Sequence, residues 1–291
     1  SLGGLAFNIG NIGGASMGLN IVFGIDTTTA AAISGILGIL LFASPKMGGV
    51  LDNTAKVLGT VMLVLIGYVA FSTNPPVAEA ATHAIVPTNY PWLATITLIG
   101  GTVGGYITFS GGHRLIDAGI TGREHLKDVR RAAFMGMSVD AIVRILLFLA
   151  VLGVVSMGFA LDPKDPAGSA FLLGAGEIGH KLFGIVFFCA ALTSVVGAAY
   201  TSVSFLKTLF KVVERYEKLT IMAFIFVSTC ILIFIGKPAT LLIVAGSVNG
   251  LILPVTLAVM LLATRKTNIV GDYKHNPVLF YTGWIVVLVT A

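Results

Sequence analysis

The sequence predicts an all-α integral membrane protein, a multi-pass helical bundle that forms a single transmembrane domain over residues 1–291. Three observations carry that expectation. Hydrophobic residues make up 56% of the 291-residue chain and charged residues 11%, against roughly 25% charged in soluble domains. The apolar residues gather into nine runs, 2–23, 30–44, 57–72, 92–110, 132–157, 178–206, 219–235, 239–263 and 278–291, with lengths scattered around the roughly 20 residues a helix needs to cross a bilayer. The basic residues lie between runs, and counting the runs as successive crossings puts fourteen of the 18 Lys and Arg on one side. The net charge of +5 would point to nucleic acid on a soluble protein; here its placement explains it, and no nucleic-acid partner is expected.

The first run holds Asn8 and Asn11 among small residues Gly10, Gly13, Gly14, Ala15 and Ser16. It starts without a methionine, as though cut from a longer chain, and shows no signal-peptide pattern. Asp26 to Thr29 can cap the second run, because Asp and Thr side chains accept the orphan amides of a helix start. Pro45 stops that run, and 45–56 is expected as a short polar loop. The connection from Asn74 to Tyr90 has no Lys or Arg. The fourth run leads into a basic loop or surface helix from His113 to Arg131. The fifth holds Asp140 and Arg144, and the sixth is rich in small and hydroxyl residues. The eighth contains Asn249 and Pro254, a proline that permits a kink. Cys189 and Cys230 lie inside apolar runs without metal-ligand spacing and are assigned to packing. His83, His125, His180 and His275 lie near or in loops and are expected to be solvated.

By the positive-inside rule the loops 45–56, 113–131, 207–218 and 264–277 face the cytoplasm of a cell inner or plasma membrane. The first run then travels outward, and the fourth runs from outside to inside.

The stretch from Leu98 to Arg131 organises the rest. Gly100, Gly101, Gly104 and Gly105 each raise the entropy cost of helix by roughly 0.8 to 1 kcal/mol relative to alanine. An unwound segment within a membrane survives only where it is buried in protein or lines a cavity, and broken helices at the midplane form substrate and ion sites in many secondary transporters. The same glycines also fit small-xxx-small packing, in which helix backbones approach closely. Both readings stand. Thr102, Tyr106 and Thr108 flank the stretch and offer hydroxyl oxygens to an ion, or simply pack.

Asp140 and Arg144 are one helical turn apart. Each costs about 2.5 to 3.5 kcal/mol to insert on translocon scales, so they form either a static bridge or part of a proton route. His113 and Asp117 are also one turn apart, and a histidine of reference pKa near 6.5 can exchange protons. Asn249, five residues before Pro254, is a candidate for the site wall. No HExxH, GxSxG or paired intramembrane carboxylates occur, so an enzyme is not expected.

The order of these features resembles the NRAMP family of proton-coupled divalent-metal transporters, in a divergent bacterial branch. Residues 6–26, AFNIGNIGGASMGLNIVFGID, are similar to that family's third helix; 100–114, GGTVGGYITFSGGHR, to its sixth; 189–206, CAALTSVVGAAYTSVSFL, to its eighth; and 244–257, VAGSVNGLILPVTL, to its tenth. The resemblance implies a LeuT-type inverted-repeat fold lacking its first two helices, covering helices three to eleven. It implies secondary active transport of a divalent cation of the Mn, Mg or Fe class by alternating access, coupled to protons and without a bound cofactor. The partners would be membrane lipids and the metal ion itself, with the oligomeric state left open.

The family's sixth-helix motif GATVMPH matches GGTVGGY here. The resemblance puts Gly101 where a carbonyl binds metal, Gly104 where a methionine stands and Tyr106 where a histidine stands. Losing the soft thioether leaves oxygen donors, which suit harder ions. The implied metal set is Gly101, Thr102, Gly104 and Tyr106, with Thr108 and Asn249 along the substrate pathway. His113, Asp117, Asp140 and Arg144 make up the implied proton pathway, although the family's further histidine aligns at Gly111 without a gap. The alternative is a LeuT-type symporter of an amino acid or other small organic solute.

Overall fold

A computed structural model describes residues 2–103, 112–122 and 124–291. The helices are α1 (Leu2–Phe23), α2 (Thr27–Ala43), α3 (Pro45–Ser72), α4 (Val77–Ile85), α5 (Trp92–Val103), α6 (Gly112–Asp117), α7 (Leu126–Ser156), α8 (Pro166–Lys207), α9 (Lys211–Arg215), α10 (Glu217–Ile235), α11 (Pro238–Ala263), α12 (Thr267–Val270) and α13 (Pro277–Thr290). No strand occurs among the described residues. By length and composition α7, α8, α10 and α11 can each cross a membrane, and two bent pairs raise the number to six: α1 with α2, bent by 117°, and α3 with α4, bent by 102°. α5 and α13 are shorter apolar helices. Large apolar side chains face outward, among them Phe71, Phe134 and Phe234. On so apolar a surface the surrounding medium is lipid.

The centre of the bundle is α1, which packs on α8, α11, α2 and α10. Its small residues allow this on several faces. A Cβ on Gly18 would lie 2.6 Å from the Phe188 amide nitrogen and 2.7 Å from the Gly184 carbonyl, so α1 and α8 meet backbone to backbone. Gly14 faces Ala191 and Phe187, and Gly13 faces Pro238. One core joins Ile9, Ile12, Ala31, Val195, Val203, Ile221 and Ile225 from α1, α2, α8 and α10. A second joins Ile66 and Val69 of α3, Ala150 and Val154 of α7, and Phe171 and Phe183 of α8, whose rings stack with centroids 4.5 Å apart. α8 thus belongs to both cores. It bends at Gly176, whose φ of 67° and ψ of −171° lie outside the helical region.

The turn between α1 and α2 is held by short polar side chains. Asn20 Nδ2 donates to the Ile25 carbonyl at 2.8 Å, and Asp26 Oδ1 accepts from the Thr28 and Thr29 amides at 2.9 Å each. Asp26 is therefore the N-cap that the sequence predicts.

Three expectations need correction. The stretch 45–56, expected as a loop, forms the opening turns of α3, because Pro45 at its first position presets the helical φ. The polar connection 74–90 holds α4, with Glu79 in its first turn and His83 in its last, favourable to the helix dipole. The helix after the Gly176 kink carries the sixth run at 178–206 as expected, and the residues ahead of the kink are helical as well, because Asp165 accepts from the Gly168 amide as N-cap and Pro166 follows it. That same aspartate lies 3.7 Å from His180 Nε2, so His180 is largely buried rather than solvated.

Two outcomes follow. The hydroxyl of Thr29, then the Thr29 and Thr28 amides, hold the Asp26 carboxyl below its ordinary 3.8 against a small opposing effect of burial. Its pKa is lowered on folding, so its stabilising effect is complete above pH 3.8 and is lost as the pH falls through the folded value. Thermal unfolding scanned from neutral to acid pH should show that loss, and Asp26→Asn should flatten it. Gly18→Ala should destabilise the bundle by about 1–3 kcal/mol through overpacking, read as a lower unfolding temperature in detergent.

Candidate functional site

Gly100 and Gly101 are neighbours with opposite environments. A Cβ on Gly100 would overlap the Gly246 carbonyl oxygen and the Gly250 amide, whereas one on Gly101 would meet nothing within 4 Å among the described residues. Gly246 and Gly250 in turn abut the Thr97 and Ile96 backbone. α5 and α11 therefore touch through glycines at Gly100, and Gly101 faces open space one position further. Beside it is a cavity of about 500 Å³ lined by Leu93, Ala94, Thr97, Leu98 and Gly101 of α5, Arg144 of α7, and Leu242, Ile243 and Gly246 of α11.

α5 remains helical to Val103, so the break expected at 100–105 does not begin before residue 104. The contact with α11 removes the freedom that would otherwise disfavour glycine in this helix. The hydroxyl of Thr102 donates to the Leu98 carbonyl at 2.5 Å, one turn back. Gly104, Tyr106 and Thr108 lie outside the described residues. His113 and Asp117 fall within α6, with side chains outside the described residues.

Polar groups converge on the α5–α11 contact. Thr97 Oγ1 is 2.6 Å from Ser247 Oγ and also donates to the Leu93 carbonyl at 2.7 Å. Asp140 and Arg144 form the bridge, Nε to Oδ2 at 2.8 Å. Arg144 also extends Nη2 to the Gly101 carbonyl oxygen at 3.4 Å. Sequence reasoning had no way to find that second contact, since Gly101 and Arg144 lie 43 residues apart and share no motif.

Asn249 is fully buried, and neither atom of its amide has a hydrogen-bond partner among the described residues. Pro254 lacks the N–H that would bond the carbonyl of residue 250 in a regular helix. Asn8 donates to Ser228 Oγ at 3.2 Å, while its Oδ1, Asn11 Nδ2 and Ser202 Oγ are unmatched among the described residues. Unmatched buried amides are costly, by about 1–3 kcal/mol each. No group of three His, Cys, Asp or Glu side chains able to hold a metal occurs among the described residues. Of the expected oxygen donors, Gly101 lines the cavity, whereas Thr102 and Asn249 are not among its lining residues, and most of that lining is apolar; carbonyl, hydroxyl and amide oxygens are the donors that hard cations take.

The sequence matches the protein family described as "Natural resistance-associated macrophage protein-like", Nramp, over residues 2–291. The chain belongs to the Nramp family. It is 51% identical over 290 residues to an "Uncharacterized membrane protein" of Haemophilus influenzae, a match that takes in all of this chain and 73% of the relative. It is equally similar to "Uncharacterized membrane protein YcsG" of Bacillus subtilis, across 72% of that protein. Membership makes this Nramp protein a multi-pass helical membrane transporter of metal ions, and the all-helical bundle is compatible with the LeuT-type fold.

The two glycines can be separated experimentally. Gly100→Ala should drive α5 off α11 and lower the unfolding temperature, whereas Gly101→Ala should leave the fold intact and raise stability by roughly 0.5–1 kcal/mol through helix propensity. Melting curves of the two purified variants against the parent protein check this.

Proposed function

We propose that this Nramp protein moves a divalent cation across the cell membrane by alternating access in symport with protons, and that the ion binds where α5 leads into residues 104–111. The Gly101 carbonyl and Thr102 hydroxyl lie at that end of α5, where the helix dipole is negative. Gly104 and Tyr106 complete the set by the motif match, and Thr108 and Asn249 border the pathway. The observation that carries this reading is the split between Gly100, pinned against α11, and Gly101, open beside the cavity. All donors among these groups are oxygen-based, which favours Mg²⁺ or Mn²⁺ over softer ions. Family membership favours a metal over an organic solute.

Protons would move through His113, Asp117 and the Asp140–Arg144 pair. With α1, α2, α3, α5 and α13 each crossing separately beside α7, α8, α10 and α11, nine crossings leave 45–56, 113–131, 207–218 and 264–277 cytoplasmic and satisfy the positive-inside rule. In that arrangement the start of α3 lies at the cytoplasmic surface.

Liposomes containing the full-length protein and an internal pH dye provide the test. Mn²⁺ or Mg²⁺ uptake with internal acidification is expected, and Tyr106→Ala should cut uptake at least about tenfold, the effect of losing about 1.4 kcal/mol at the site. No divalent flux under an inward proton gradient overturns the reading. Asn249→Leu separates function from fold: it removes an unmatched buried amide, so thermal stability should hold or rise by about 1 kcal/mol while uptake falls.

A further inference from the structure

Arg144 is the one charged side chain lining the α5–α11 cavity among the described residues. It sits near the middle of α7, a helix that turns most of its apolar surface outward. A guanidinium at that depth is expensive in a membrane and persists where it has anionic or carbonyl partners. Arg144 has both kinds. Nε is held by Asp140 Oδ2 at 2.8 Å, while Nη2 lies 3.4 Å from the Gly101 carbonyl oxygen. The first contact is short and charge-assisted; the second is long and weak. A cation is thus tethered on one side and only lightly engaged on the other.

We propose that Arg144 is a built-in cation that covers the Gly101 carbonyl when no metal is bound, and that Asp140 receives it when a metal arrives. This inference rests on the reading of Gly101 as a metal-binding carbonyl. The chemistry follows from charge. A divalent ion at the Gly101 oxygen repels a guanidinium within a few ångströms, so the two cannot share the carbonyl without cost. Asp140 already holds Nε through Oδ2, and a carboxylate has a second oxygen that can take an Nη hydrogen once the guanidinium turns, the two-pronged arrangement favoured by Arg–carboxylate pairs. Withdrawal of the guanidinium therefore exchanges a weak carbonyl contact for a second carboxylate contact and needs no movement of α7. When the metal leaves, the guanidinium returns and the carbonyl is not left bare in the membrane interior. Arg144 would then set ion affinity by competition, and Asp140 would set how readily the competitor withdraws.

The two residues have opposite expected effects on KM, which a static bridge would not give and which the pair's part in proton movement does not require. In liposomes containing the full-length protein, Mn²⁺ uptake is measured against Mn²⁺ concentration for the parent, Arg144→Gln, Arg144→Lys and Asp140→Asn, with each variant's folded fraction set by size-exclusion chromatography. Arg144→Gln should lower KM roughly fivefold, the weight of one modest hydrogen-bonding competitor, and also lower the maximal rate, since the ion is released more slowly. Arg144→Lys keeps the charge without the fork and should lower KM by less. Asp140→Asn should raise KM, because the guanidinium loses its receiving carboxylate. Should Arg144→Gln not fold, the rise in Asp140→Asn and the smaller fall in Arg144→Lys still decide. Unchanged KM in the variants, or shifts of the same sign in Arg144→Gln and Asp140→Asn, with parental uptake intact, overturn this inference alone. Absence of saturable divalent uptake by the parent overturns it together with the reading it rests on.

Discussion

Gly100 lies against the α11 backbone at Gly246 and Gly250, two residues with no side chain of their own to hold it off, and the register of that contact decides what reaches the cavity. Helices without such glycines keep 8–10 Å between their axes; a closer approach is possible only where Cβ atoms are missing on the facing surfaces. Because α5 is locked at Gly100, the next residue along the helix turns away from α11 by about 100°, the rotation per residue of a 3.6-residue turn. Gly101 therefore faces the side on which Arg144 lies. Thr97, one turn earlier on the packed side, meets Ser247 instead. The site is less a pocket cut into the protein than the consequence of one tight crossing.

The surroundings of that crossing are rigid. α1 supplies small residues to α8 and α11 and buries Asn8 against Ser228 of α10, so the helices behind α11 are fixed by backbone contact and hydrogen bonding together. In a membrane, where association gains little from the hydrophobic effect, these are the forces available. Asn249 departs from that economy, being buried with its amide unmatched. A native protein that keeps such a residue gives up stability there, as functional sites commonly do.

Helices were legible in the sequence because hydropathy reports burial in lipid directly, and Asp26 as a cap because its chemistry is local. What hydropathy missed has physical reasons. Pro45 reads as a stop for α2, yet it is also a favourable first residue for α3. Residues 166–176 carry Gly168, Gly174 and Gly176 and look like a connection, but Asp165 caps them and Phe171 anchors them on Phe183. At the site, the ambiguity between packing glycine and site glycine was irreducible from sequence. Gly100 and Gly101 are chemically identical, and only the position of α11 distinguishes them. The bridge between Asp140 and Arg144 was readable from their spacing, whereas its link to Gly101 depends on how α7 lies beside α5.

α8 contributes Phe171 and Phe183 to one core and Val195, Ala199 and Val203 to the other. Mechanically it is a beam shared by two floors. Beyond Gly176 its helix runs unbroken from Phe183 to Val203, so the two packed layers cannot shear past each other without bending that helix. Compliance must then be found off the beam. α5 is short, and it is held on α11 by glycine backbone contact and one clasp of hydroxyls, Thr97 to Ser247. A helix fastened at so few points can pivot about them without unpacking either core.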